Sequence, residues 1–340
     1  MAEEAKKKAS PSKFRTSIGG QALIEGVLMR GPGKQAIVVR SPEGLVEKVE
    51  ELTLVRDKYP VLGLPIIRGA VTFVDSMVKG VKALMFSADY FPDDDVAEPG
   101  KFDRWLEGKL GNEKMQKVIT ALAVFLSLGL TILLFFLLPT FLAGFIDPYI
   151  KSAAVHNLVE SVIKLVIFFA YMILCSKQKD IYRVFQYHGA EHKVIHAFEA
   201  GGDVDAATAA RMSRLHPRCG TTFLLFVIGI SIILHAVLVP LLLFFYCPEG
   251  AVAKQALTIV FKLLLMVPIS ALAYELIRYA ARMPDGFMAT LLRAPGLTLQ
   301  RMTTAEPDER QLDVAVVALR EALGAQAGDN IITAPYRRDA

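Results

Sequence analysis

Between Tyr187 and His196 the chain reads YHGAEHKVIH. His188 and His192 are four residues apart, Glu191 lies between them, and His196 follows after another four. Residues at that spacing share one face of a helix. Two imidazoles and a carboxylate would therefore converge on one small volume. In the H-x-x-E-H pattern two His hold a metal ion while the adjacent Glu handles protons. A zinc ion, or another divalent metal, is the cofactor this chemistry calls for. His188 and His196 would stand roughly 12 Å apart along a helix, too far for one ion to take all three His. Gly189 costs a helix about 1 kcal/mol relative to Ala, which would set His188 at the first turn. The bland alternative is a polar helix that happens to be rich in His. Four of the six His in the chain lie between 188 and 216, which tells against coincidence.

The fourth of these opens His216-Pro-Arg-Cys219-Gly-Thr-Thr. His216 or Cys219 could complete a three-ligand set and leave a position open, as catalytic zinc sites do. Arg218, beside Cys219 at a helix start, would lower the thiol pKa. A Cys219 nucleophile paired with His216 or His192 is therefore a second chemistry. In the plainer reading Thr221 and Thr222 cap a helix and Cys219 is inert. Glu275, in AYELIRY near the end of an apolar stretch, is expensive to place in a membrane. It could be a further ligand or a general base, or pair with Arg278. Glu25 lies between Gly20 and Gly26, and such glycines suit close backbone approach; an ordinary hairpin with solvated charges is the simpler expectation. Thr303, Thr304 or Glu306 is expected to cap a following helix.

These residues need elements to hold them, and composition says which. Of 340 residues 53% are hydrophobic, and the mean hydropathy of +0.41 exceeds that of ordinary soluble chains. Four apolar runs account for the excess, roughly Val118–Ile146, Leu158–Cys175, Thr222–Tyr246 and Leu257–Ala281. Each approaches the about 20 residues a bilayer core requires. Pro139, Pro240 and Pro268 predict kinks within them. Lys164 would pair with Glu160 one turn away, Lys262 would snorkel, and His235 would stand alone. Net charge is only +4, but its distribution is informative. Ser176–Thr221 carries Lys177, Lys179, Arg183, Lys193, Arg211, Arg214 and Arg218, whereas Asp147–Asn157 and Cys247–Ala256 carry one Lys each. The positive-inside rule then places both termini and this middle segment in the cytoplasm. Three cysteines make no disulfide framework.

The expected fold is a polytopic α-helical membrane protein of four transmembrane helices. A small N-terminal cytoplasmic β unit and a C-terminal cytoplasmic amphipathic helix accompany them. Residues 1–16 read as a disordered basic tail. Residues 17–116 read as the β unit plus an amphipathic, interfacial helix, and 117–176 as the first two spans. The HGAEH and HPRC motifs fall in 177–220, the last two spans in 221–282, and a C-terminal segment in 283–340. Within the β unit the strand-like runs are Ala22–Met29, Gln35–Arg40 and Leu45–Val55. The helix over 66–88 would line Ile67, Val71, Val74, Val78, Val81 and Met85 on one side, to meet either the membrane interface or the β unit. FPDDDVAEPG (91–100) is a linker, and Trp105 an interfacial anchor. Met283–Gly296 is rich in Pro and Gly, and a last helix runs from about Pro307 to Leu323.

Together GGQALIEGVLMRGP, YHGAEHK, HPRCGTT, the Tyr274–Glu275 pair and the Gln-x-x-Thr-Thr-x-Glu-Pro stretch from Gln300 resemble one family. It is the YqhQ-like bacterial membrane proteins, of unknown function and described as predicted metal-dependent enzymes. The resemblance covers about residues 17–325. It implies a cytoplasmic (inner) membrane protein and picks out Glu25, His188, Glu191, His192, His216, Cys219 and Glu275, but implies no substrate.

Two functions compete. The first is a zinc-dependent hydrolase at the cytoplasmic face, with His188 and His192 as ligands, His216 or Cys219 as third, and Glu191 as general base. His196 and Arg218 would support the site. Its substrate would be a membrane-adjacent peptide or a lipid head group. The second is a non-catalytic scaffold, assembly factor or small transporter whose His/Glu/Cys cluster is a structural polar network. A transporter would place several ionisable groups at mid-membrane, and only Lys164 comes close. The expected partners are the lipid bilayer, a membrane-associated substrate or protein and, as an open alternative, a homo-oligomer. Nucleic acid is not among them, because the basic residues sit where they set topology and meet anionic lipid.

Overall fold

The computed structural model describes residues 18–53, 59–64, 67–90, 112–146, 149, 152–284 and 286–333. The basic tail, the linker at 91–100 and Trp105 lie outside them. The described part is mostly helical, with one small sheet near the N-terminus.

The sheet is an antiparallel meander of β1 (Gly19–Leu23), β2 (Gly26–Arg30), β3 (Lys34–Arg40) and β4 (Leu45–Glu51). The run expected as one strand over Ala22–Met29 is folded back on itself, with Leu23 opposite Gly26. Glu25 makes the turn at φ 49°, in the left-handed region. Alternation along β2 and β3 then gives the sheet two apolar faces. Val27, Met29, Ala36 and Val38 join one core, while Leu28, Ile37 and Val39 join the other.

The first core is filled by two helices. One is α5 (Lys179–Glu199), which carries the His motif; the other is the C-terminal helix α11 (Glu309–Leu323). Tyr187, Val194 and Ile195 meet Leu312, Val316 and Leu319 there. Helix α5 starts well before the motif, so His188 lies in mid-helix rather than at the first turn. The helix stops at Gly201, whose φ of 77° suits glycine. Helix α11 is capped by a reciprocal box between Asp308 and Gln311 rather than by Thr303, Thr304 or Glu306.

The second core receives α1 (Ile67–Asp89), but not by its large apolar side. The buried positions of α1 are Gly69, Gly80, Ala83 and Ser87. Val74, Val78, Val81 and Met85 are 58%, 49%, 48% and 52% exposed. The reason is closeness. A Cβ on Gly80 would stand 2.4 Å from Gln21 Oε1, and one on Gly69 2.8 Å from the Ala271 carbonyl.

The remaining helices are α2 (Asn112–Ile132), α3 (Leu138–Gly144), α4 (Ala153–Ser176), α6 (Ala206–Ala210) and α7 (Thr221–Phe245). They continue with α8 (Ala251–Leu264), α9 (Met266–Arg282) and α10 (Phe287–Thr303). Among the described residues four stretches are long and apolar enough to cross a membrane: Ala121–Gly144, Val155–Ser176, Thr221–Phe245 and Val252–Ala280. A π-helical turn at Leu133–Leu137 precedes Pro139, and the helix breaks at Leu265 before Pro268. Pro240 sits inside an uninterrupted α7. The Gly/Pro-rich stretch after the last span is helical from Phe287 on. Gly296 serves contact there rather than a loop, because a Cβ would come 2.3 Å from Thr222 Oγ1.

The chain divides into two compact units. One holds the sheet, α1, α5, α6, α10, α11, the start of α7 and nearly all of α9. The other holds α2, α3, most of α4, α8 and the rest of α7. Within this second unit Lys262 does not snorkel. Its Nζ donates to Glu160 Oε1 at 2.6 Å, both side chains being 7% exposed, and Thr140 Oγ1 donates to the same oxygen at 2.9 Å. Lys164 lies over the Phe136 ring at 5.7 Å. A cavity of about 620 Å³ is lined by Glu160, Lys262, Thr140, His156, Asn157 and Thr258, among others. The apolar spans therefore hold more ionisable groups together than Lys164 alone.

Candidate metal centre

Helix α5 turns His188, Glu191, His192, His196 and Glu199 toward two backbone segments, 214–219 and 303–305. Each His is fixed by a carbonyl. His188 Nδ1 donates to Thr303 O at 2.8 Å, His192 Nδ1 to Arg214 O at 2.6 Å, and His196 Nε2 to Leu215 O at 3.0 Å. A carbonyl only accepts, so these contacts set the tautomers. They leave the lone pairs on Nε2 of His188, Nε2 of His192 and Nδ1 of His196. Histidines that ligate metals are oriented in just this way.

The carbonyls are themselves held in place. Ala305 N–H donates to Phe185 O at 2.8 Å, which lays 303–305 along α5. Gly189 permits that approach, since a Cβ there would lie 2.1 Å from Ala305 O. The fully buried Gln300 clasps the His216 backbone, accepting from its N–H and donating to its carbonyl, both at 2.8 Å. The Arg214 guanidinium donates to the carbonyl and hydroxyl of Thr304.

Two groups of ligand atoms result. In the first, His188, His192 and Cys219 bring their donor atoms within 4.8 Å of one another. His188 Nε2 is 3.1 Å from Cys219 Sγ. His192, 1% exposed, has an Nε2 with no hydrogen-bond partner. Tetrahedral zinc, with Zn–N about 2.0 Å and Zn–S about 2.3 Å, wants N and S about 3.5 Å apart. The first group fits that ion with small adjustments, and the buried, unpartnered nitrogen is what a ligand position requires. In the second group His196, Glu199 and His216 meet the same 4.8 Å limit. His216 thus stands with His196 and Glu199, not among the donors of His188, His192 and Cys219. The rings form a continuous series, with centroids 4.5 Å apart for His188–His192, 5.5 Å for His192–His216 and 4.7 Å for His196–His216.

Burial tunes the charges. It pushes the Glu191 carboxyl up to about 7, against the opposing pull of His188. Glu191 also takes a hydrogen bond from the Gly20 backbone, and a Cβ on Gly20 would lie 3.1 Å from its carboxyl. Gly20, within β1, thus serves close approach to the site carboxylate. Burial lowers His192 and His216, which favours the neutral form that binds metal. Burial would raise the Cys219 thiol, but the facing His192 and then the hydroxyl and N–H of Thr221 outweigh it and hold the thiol low. A thiolate is the form that both ligates and attacks. Arg218 binds Glu199 rather than the thiol.

Two site candidates lie elsewhere. Glu25 is buried, not solvated. Arg183 engages both its oxygens, Tyr187 Oη donates to one at 3.1 Å, and Arg40 is 3.5 Å away. Glu275 is held by Arg68 through two bonds of 2.6 Å and belongs to neither ligand group. Sequence reasoning missed Gln300, Arg214 and Thr303 as the parts that position the imidazoles. For Gln300 and Thr303 the signal was the polar stretch beginning at Gln300, which read as helix capping and as part of the family resemblance; for Arg214 it was only a basic residue of the middle segment.

A family described as "Protein of unknown function (DUF1385)" matches residues 64–325. The chain belongs to that family. It is similar to "Uncharacterized protein YqhQ" of Bacillus subtilis (strain 168), with 30% identity over 324 residues, covering 94% of this chain and 96% of the relative. No solved structure matches.

Proposed function

We propose that the chain is a multipass protein of the bacterial cytoplasmic membrane, with both termini cytoplasmic. In this reading its HGAEH–HPRC site is a zinc-type hydrolase centre acting on a membrane-associated peptide or lipid head group. The observation that carries the reading is the convergence of His188, His192 and Cys219, whose ligand atoms lie within 4.8 Å of one another, with His192 Nε2 buried beside the thiol. An unpaired polar atom in the interior costs about 1–3 kcal/mol, and an ion bound there would offset that cost. The four apolar stretches and the basic 176–221 segment support the membrane topology.

A divalent ion held by His188, His192 and Cys219 would supply Lewis acidity and make water a better nucleophile near neutral pH. The protein does the rest. Glu191, with its pKa near 7, takes a proton from water and returns it to the leaving group. The Gly20 backbone holds that carboxyl in place, and the Thr303 and Arg214 carbonyls keep both imidazoles turned inward. Glu275 drops out of the reacting set because Arg68 occupies it. Full-length protein purified in detergent should carry transition metal, and cobalt in its place should show a sulfur-to-metal charge-transfer band. His192→Ala should lose that band. Glu191→Gln should keep it and slow hydrolysis about 10²–10⁴-fold. Protein free of transition metal that takes up none would end this reading.

One observation favours a scaffold instead: direct hydrogen bonds pin α5 to both neighbouring segments, His188 Nδ1 donating to Thr303 O at 2.8 Å and His192 Nδ1 to Arg214 O at 2.6 Å. Glu191→Gln that fully replaces the wild type in cells, together with a co-purifying protein, would support it.

A further inference from the structure

The second ligand group is not needed for the chemistry above, yet its donors are arranged as carefully as the first. His196 gives its Nε2–H to Leu215 O, which leaves Nδ1 for a ligand. His216 is buried, and its backbone is gripped on both sides by Gln300. Glu199, one turn beyond His196 on α5, brings Oε2 to 3.9 Å from His216 Nε2. Two imidazoles and a carboxylate are a donor set that zinc accepts in catalytic sites and that manganese and iron also accept.

One side chain stands in for the ion. Arg218 places Nη2 on Glu199 Oε1 and 3.4 Å from His216 Nε2. A guanidinium donates only, so its position against a carboxylate and a ring nitrogen marks where positive charge is wanted. Arg218, its side chain 19% exposed, follows His216 by two residues in a short loop, so its long side chain can withdraw without unfolding an element.

We propose that His196, Glu199 and His216 form a second divalent-cation site beside the first, kept charge-balanced by Arg218 until an ion displaces it. The centre would then hold two ions, linked through the adjacent His192 and His216 rings. The inference goes beyond the hydrolase reading and stands whether or not the first group catalyses anything.

The test uses cobalt as the probe, titrated into metal-stripped full-length protein in detergent. The first group contains a thiolate and the second does not, so only the first ion gives a sulfur-to-cobalt band. About two ions per chain are expected, one with the band and one without. Glu199→Gln and His196→Ala should each remove the ion without the band and leave the band intact, which also shows that the variant has folded. Cys219→Ser should remove the band and leave the other ion. Arg218→Ala should bind the second ion about tenfold or more tightly, because its competitor is gone. A single ion that carries the band, in wild type and in Arg218→Ala alike, overturns the second site and leaves the first standing. A single ion without the band, lost in Glu199→Gln, keeps the second site and removes the first. No cobalt bound at all removes both.

Discussion

Gly189 poses two opposed costs at one residue. In mid-helix it weakens α5 by about 1 kcal/mol relative to Ala, so Gly189→Ala on an isolated helix would stabilise. Here the added methyl would meet Ala305 O at 2.1 Å, and forced overpacking of this kind costs about 1–3 kcal/mol. The clash is with backbone on both sides, so no rotamer relieves it. We expect Gly189→Ala to lower the unfolding temperature and to weaken cobalt binding, since the displaced 303–305 segment supplies the carbonyl that orients His188. Equal or greater stability with unchanged cobalt affinity would show that the segment shifts freely. The same residues explain what was legible at this scale. His188, Glu191, His192 and His196 were readable because their convergence follows from helical spacing within nine residues. Their orienting partners were not, because the backbone carbonyls of Thr303 and Arg214 leave no mark in the sequence. The choice between His216 and Cys219 as third ligand was likewise open in the sequence, and the fold sets Cys219 beside His188 and His192 while Gln300 clasps the His216 backbone.

Among the elements, α1 shows how packing can invert an amphipathic pattern. Its apolar residues fall on one face as the periodicity predicts, yet the sheet takes the opposite, small-residue face, where Gln21 approaches Gly80 and Ile24 N–H donates to Ser87 Oγ at 3.3 Å. A helix that buries Gly and Ala and exposes Val74, Met77, Val78, Val81 and Met85 has an apolar side of a kind suited to a membrane interface. The chain has a single Trp, at position 105, so a reporter is simple to place. In a Trp105→Phe background, Val78→Trp should emit at short wavelength in lipid vesicles and be quenched by brominated acyl chains. Emission typical of water, insensitive to those lipids, would mean the face is covered by nothing apolar. Elsewhere the element boundaries that failed did so for local reasons. Ala22–Met29 alternates like a strand, but the turn at Glu25 is stabilised by Arg183, 158 residues away. The Gly/Pro content of 283–296 gave no sign of the helix that begins at Phe287, in which Gly296 admits Thr222.

At the scale of the molecule, the four long apolar stretches were plain because hydrophobic length is a property of composition, while the charges inside them were misjudged. Lys164 and Glu160 are neighbours in sequence, so they were paired with each other. The closer partner, Lys262, comes from a helix 102 residues on, and only the tertiary fold brings it there. A buried ion pair contributes little net stability, but removing one member leaves the other uncompensated at a cost of about 3–5 kcal/mol. Lys262→Met should therefore lower the unfolding temperature sharply. Glu160→Gln/Lys262→Met should recover most of the loss, with Thr140 still bonded to the amide. Both ligand groups found among the described residues belong to the other unit, not to the one that holds this pair. Cobalt binding to folded Lys262→Met should consequently match wild type, measured well below its unfolding temperature. Cobalt affinity that falls in step with stability would show instead that the pair and the His/Cys/Glu centre depend on one cooperative fold, in which a charge at the cavity edge is felt by the imidazoles of α5.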